Sequence, residues 1–176
     1  MIRVLGMDPS LANFGIALAT IDYINNKPEI VIESIETIET RKEKGGTLDD
    51  FRRLALIVKR LEWYLPQVSK IYTEIPGGSR SARAANALGM MKALIVCYSY
   101  RKPTIYVTPM QTKRIIGNQK ATKRDMINWA VVTHPEVKWA IANGRILAKN
   151  EHAADTVAVI HAGVAIEKRN KSVTNS

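Results

Sequence analysis

A chain of 176 residues, 46% apolar and 24% charged, is long enough to bury one real core, and its composition excludes a disordered or fibrous protein. Lysine and arginine outnumber aspartate and glutamate 26 to 16, and the net charge of +10 favours a polyanionic partner, nucleic acid before an anionic membrane surface. The lone cysteine, Cys97, excludes an internal disulfide and suits a reducing compartment.

The elements follow in chain order. "IRVLGM" is nearly all apolar, as in a strand covered on both faces. "FGIALATIDY" is β-prone, the turn signal "NNKP" follows, and "EIVIESIETIET" alternates like a half-buried strand, so an antiparallel meander is expected. The charged loop "RKEKGG" leads to a helix capped by Thr47 and stopped before Pro66. "SKIYTEI" is a short strand ending in Glu74. "PGGSRS" is a loop, and "ARAANALGMMKALIVCYSY" is an apolar helix with Cys97 expected in the core. "TIYVTP" is a strand, followed by two short basic helices around the turn "NQKA". "PEVKWAIANGRILAKN" reads as irregular or mixed, "EHAADTVAVIHAGVAIEK" as a buried helix, and residues 169–176 as a polar tail. The order predicts one α/β domain over residues 1–168 with a mixed sheet of about five strands flanked by helices. The N-terminus lacks the pattern of a signal peptide, and the run "ALIVCYSY" is too short to span a bilayer. A soluble, cytosolic protein without a membrane partner is expected.

The acids stand where chemistry gathers in such a fold. Asp8 and Glu74 each end a strand, and function in an open α/β sheet collects beyond the carboxyl ends of strands. Asp-Pro-Ser is equally good turn chemistry, so Asp8 alone decides nothing. In "NEHAADTVAVIHAG", His152 and Asp155 are three apart and share one face at the start of the last helix. Glu151 falls on the same side, at the rim, where an acid also complements the helix dipole. A carboxylate in such small, apolar surroundings needs a partner, and a divalent cation would supply one. Oxygen ligands suit Mg²⁺ or Mn²⁺, and three or four of them beside a basic surface fit phosphodiester cleavage with two ions per site.

These blocks resemble the RuvC-type Holliday junction resolvases, which have the RNase H-like fold. "VLGMDPSLANFGIAL" is similar to that family's opening acid, turn and second strand. "YTEIPGGSRSARAANALGMMKAL" is similar to its second acid, DNA-facing loop and dimer helix. "VTPMQTKRIIGNQKATKRDM" resembles its basic segment, with Lys113 and Lys123 as the matching lysines, and "EHAADTVAVIHAG" its final acidic helix. The resemblance runs in order to about residue 168. It implies metal ligation by Asp8, Glu74, Asp155 and His152, the last at a position that is Asp in some members and His in others. It also implies a homodimer that nicks two opposed strands of a four-way junction in DNA recombination. The short chain and divergent loop are more similar to phage-type members, whose setting is the host cytoplasm.

One departure stands out. The loop after the second acid lacks the aromatic wedge of many bacterial members and offers Gly77, Gly78, Arg80 and Arg83. Phosphate contacts are expected from Arg80, Arg83, Lys113, Lys120 and Lys123, with Lys123 also steadying charge in the transition state. Without the wedge, broader cutting of branched DNA is expected. The alternatives are an RNase H-type nuclease acting on RNA–DNA hybrids and a junction-binding protein without catalysis.

Overall fold

The computed structural model describes residues 1–25, 27–79 and 81–174. Its centre is a five-stranded sheet in the order β3-β2-β1-β4-β5. The strands are β1 (Ile2–Asp8), β2 (Asn13–Ile24), β3 (Lys27–Glu39), β4 (Lys70–Glu74) and β5 (Thr104–Val107). The first three form the expected antiparallel meander, and β4 and β5 run parallel to β1. A register shift opposite Leu18 and Ala19 turns the edge strand β3, so that Ile30, Ile32 and Ile35 face one layer and Ile38 the other.

Helices α1 (Thr47–Tyr64) and α2 (Ala82–Ser99) cover one face of this sheet. Ile57 and Leu61 of α1, with Met91, Leu94 and Ile95 of α2, meet Leu5, Met7, Phe14, Ile16 and Ile71. Helix α1 buries the row Asp49, Arg53, Ile57, Leu61 and Tyr64, one residue in each turn. It differs from expectation at its start. Gly46 holds the cap position, Thr47 lies inside the helix, and no side chain caps it. Pro66 follows the last helical residue within a short 3-10 turn, as a proline stop requires.

The other face carries α3 (Pro109–Ile115), α4 (Lys123–Thr133) and α5 (Glu151–Thr174). Helix α5 touches all five strands on one side and α3 and α4 on the other. A helix enclosed in this way must be apolar nearly all round, which accounts for its run of alanine, valine and isoleucine. It continues past the expected end at Lys168 to Thr174. Fully buried Ile160 sits at its centre, where truncation to alanine would cost about 2–5 kcal/mol.

Two further readings of the sequence are corrected. Cys97 is exposed, because α2 buries only Met91, Leu94, Ile95 and Tyr98 and turns Gly89, Ala93, Val96 and Cys97 outward. The segment read as irregular or mixed contains a defined hairpin of β6 (Ile141–Ala142) and β7 (Arg145–Ile146). Its turn is Asn143-Gly144 with φ of 49° and 70°, the left-handed pair that a two-residue hairpin demands. No helix among the described residues is long and apolar enough to cross a membrane.

Candidate active site

Asp8 is the last residue of β1 and Glu74 the last of β4, and these strands are parallel neighbours with Met7 opposite Thr73. Both side chains therefore emerge at the same carboxyl-terminal edge. Helix α5 begins over that edge. Its first turns bring His152 and Asp155 to Asp8, and one ligand atom from each of the three lies within 4.8 Å of the others. His152 Nδ1 is 3.0 Å from Asp8 Oδ2. With the carboxylate accepting, Nδ1 carries the proton and Nε2 keeps its lone pair.

The approach of α5 is set by a glycine. Gly15 pairs with Asp8 across β1 and β2. A Cβ there would lie 2.4 Å from Thr156 Oγ1 and 2.7 Å from the His152 carbonyl oxygen. Only a residue without a side chain lets the helix start rest on the strand. Buried Thr156 donates its hydroxyl to that same carbonyl at 2.6 Å, so glycine and threonine together fix the position of His152.

The electrostatics are those of a site short of positive charge. Burial first, and then the charges of Asp8, Glu74 and Glu151, push the Asp155 carboxyl up to about 7. Burial also pushes Glu74 up to about 7, with the charge of Asp8 adding to the effect, while a hydrogen bond from Thr112 and the charge of Lys113 oppose it. The hydrogen bond to Asp8 raises the His152 imidazole against the effect of its own burial. Three carboxylates and an imidazole crowded this closely at the edge of a sheet fit a hard divalent cation, which would relieve the burial and the repulsion together. Asp8, His152 and Asp155 form the tight cluster. Glu74 stands beside it, its Oε2 held 2.9 Å from the Thr112 hydroxyl.

The basic candidates divide. Lys113, half-buried on α3, is close enough for its charge to be felt at Glu74. Lys123 opens α4 with its side chain 79% exposed and pairs with Glu151 at the rim, where it is also felt by Asp155. Arg83 lies exposed in the first turn of α2. It lines an open cleft of about 540 Å³ together with Gly78, Arg53 and residues Pro9 to Ala12 of the turn that follows Asp8. Lys120 is exposed in the turn before α4, and Arg80 lies outside the described residues.

Three contributors were not visible in the sequence. Thr112, Thr156 and Gly15 act through contacts between distant segments, and no local spacing marks them. The Thr108–Gln111 capping box at the start of α3 is a readable signal, and it sets the helix phase that aims Thr112 at Glu74.

The strand order, the parallel pair carrying two acids and the acidic start of the last helix can be compared with solved structures. T. thermophilus RuvC in complex with Holliday junction substrate matches with a TM-score of 0.65 at 16% identity, over 94% of this chain and 95% of that one. The fold is that of RuvC. The yeast mitochondrial Holliday junction resolvase Ydc2 matches with a TM-score of 0.57 at 20% identity, over 91% of this chain and 76% of that one. The fowlpox virus resolvase in complex with junction DNA matches with a TM-score of 0.52 at 13% identity, over 93% and 95%. No family model and no curated protein matches the chain. The RuvC fold is thus carried by a sequence that shares little with the other chains, and the expected RNase H-like architecture holds.

Proposed function

We propose that the protein is a divalent-metal-dependent endonuclease that resolves four-way DNA junctions by paired nicks. The observation that carries this reading is the meeting of Asp8, His152 and Asp155 within 4.8 Å, on a RuvC fold whose net charge is +10. The matched RuvC and fowlpox structures are complexes with junction DNA, which makes a branched duplex the substrate to test first.

Asp8, Asp155, Glu74 and His152 would hold Mg²⁺ or Mn²⁺, two ions per site. The ions would supply an activated water and neutralise charge on the leaving 3′ oxygen. The protein's own groups do the positioning. Thr112 holds Glu74, and Asp8 holds the proton on His152 Nδ1. A phosphate entering at the rim competes with Glu151 for Lys123, whose ammonium then lies against the charge that develops as the bond breaks. Lys113, Lys120, Arg80 and Arg83 contact backbone phosphates.

The outward row Gly89, Ala93, Val96 and Cys97 of α2 suits a second copy of the chain, because small residues let two helices approach closely. A dimer gives the two active sites that paired nicks require.

The test is incubation with a labelled immobile four-way junction, a flap and an RNA–DNA hybrid, each with Mg²⁺ and with EDTA. Metal-dependent nicking of the junction, abolished by Asp8→Asn or Asp155→Asn with binding retained, is expected. Cutting of the hybrid alone makes the enzyme an RNase H, and binding without cutting in either Mg²⁺ or Mn²⁺ removes the catalytic role.

A further inference from the structure

The β6–β7 hairpin has a rigid root and a bare tip. At the root, the buried Asn150 amide donates to the Ala140 carbonyl and accepts from the Ala140 N–H, both at 2.9 Å, like one more rung of backbone. Leu147 N–H adds a bond to the same carbonyl, and Trp139, packed in the core, donates its indole N–H to His134. Beyond that anchor the chain stands in solvent. The opposed pair Ile141 and Ile146 are 57% and 36% exposed, and Arg145 between them is exposed as well. The two isoleucines leave an apolar pair partly open to solvent beside an exposed arginine.

Between the hairpin and α4 lies a cleft of about 480 Å³. Ile127, almost fully buried, and Ile146 give it apolar walls. Lys123, Arg124 and Arg145 give it a cationic rim, with Asn128 beside them and Glu151 as its one acid. Arg124 and Arg145 have no ion-pair partner among the described residues. Glu151 immediately precedes His152 at the start of α5, so the cleft and the acid cluster share that helix start. The volume lies within the range of about 300–1,000 Å³ that small organic ligands occupy and is roomier than a bare phosphate needs.

Resting on the nuclease reading, we infer that this cleft seats a nucleotide of the DNA strand adjacent to the phosphate being cut. Arg124 and Arg145 grip its backbone phosphate, and Ile127 and Ile146 pack against its sugar and base. Apolar side chains beside cations are a known means of unstacking and holding a base, and a branch point interrupts the continuous duplex against which such a base would otherwise stack. The hairpin would thus take part in the contact with the branch point.

The experiment is fluorescence anisotropy of a labelled four-way junction in EDTA, over a series of salt concentrations. Arg124→Ala and Arg145→Ala are each expected to weaken binding and to flatten the plot of log affinity against log salt by about 0.9. Ile146→Ala is expected to weaken binding by about five-fold with the slope unchanged, because the lost contact is apolar. All three side chains are exposed, so unchanged melting temperatures confirm that the fold is intact. Wild-type affinity and slope in both arginine variants overturn the phosphate grip, and wild-type affinity in Ile146→Ala overturns the seating of the nucleoside. A wild-type protein that binds no junction removes the nuclease reading itself, which is a separate outcome.

Discussion

Gly15→Ala adds one methyl group at the joint between the sheet and α5. The φ of Gly15 lies outside the left-handed region, so alanine brings no backbone strain and only the contacts change. The new Cβ would lie 2.4 Å from Thr156 Oγ1, 2.7 Å from the His152 carbonyl oxygen and 3.2 Å from Asp8 Cβ. A side-chain hydroxyl can rotate away, but a carbonyl oxygen in the first turn of a helix cannot. Reaching an ordinary contact of 3.4 Å requires the start of α5 to retreat by roughly 0.7 Å. The Asp8–His152 hydrogen bond, now 3.0 Å, would then stretch beyond bonding distance. Overpacking of this kind costs about 1–3 kcal/mol, well inside a typical stability of about 5–15 kcal/mol, so the variant folds. The chemistry suffers more, because a misplacement of about 1 Å costs about 10²-fold in rate.

The assay pairs thermal melting with single-turnover cleavage of a four-way junction. The expected result is a lowered melting temperature and at least a ten-fold loss of rate. Adding Thr156→Ala removes the nearest clashing atom but leaves the His152 carbonyl, so the double variant should regain some stability and little rate. Melting and cleavage of Gly15→Ala both at wild-type level would refute the argument that this glycine sets the site.

Three more outcomes follow from the same geometry. With the Asp155 carboxyl held at about 7, its ionisation costs the folded state up to about 4 kcal/mol above pH 7 and nothing below pH 4. Asp155→Asn should therefore melt above wild type in EDTA at pH 8, by a margin that narrows at pH 5, and a lower melting temperature at pH 8 refutes this. Thr112→Val removes the hydroxyl that Glu74 accepts from, so cleavage at low Mg²⁺ should fall about ten-fold and recover as Mg²⁺ is raised; a rate that does not depend on Mg²⁺ concentration in this way contradicts it. Burial and neighbouring His134 push the His161 imidazole down to about 4, while in the unfolded chain it titrates near 6.5. The folded state then holds its full stability above pH 6.5 and loses about 2 kcal/mol by pH 5, and urea midpoints that stay flat over that interval count against it.

The meeting of the candidate residues was legible because they lie at element boundaries. A strand that turns from apolar residues to Asp8, a second that ends at Glu74 and a helix that opens with His152 and Asp155 can each be read from local pattern, and α/β topology brings such ends together. What local pattern cannot supply is which side of an apolar helix finds a partner. Helix α2 is apolar on the face of Met91, Leu94 and Ile95 and again on the face of Gly89, Ala93, Val96 and Cys97, so periodicity could not tell Cys97 from a core residue. The β6–β7 hairpin was missed although Asn143-Gly144 is a strong turn signal, because strands of two residues leave no alternation to detect. Thr47 was misplaced by one position, a difference that residue type alone does not resolve at a helix start without a capping side chain.

The placement of the charges bears on function more than their sum does. Away from the acid cluster, four arginines are tied down by acids of the scaffold. Arg3 pairs with Glu33, Arg60 with Glu36, Arg101 with Glu62, and Arg52 with Asp49 and Glu43. Near the site three arginines are left without such a tie. Arg83, Arg124 and Arg145, which line clefts that share residues with the turn after Asp8 or the start of α5, have no ion-pair partner among the described residues. Unpaired cations beside the acid cluster are placed to meet a polyanion. Salt weakens contacts between exposed cations and phosphates far more than it weakens a packed core, so DNA should leave this protein at salt concentrations that leave its fold intact.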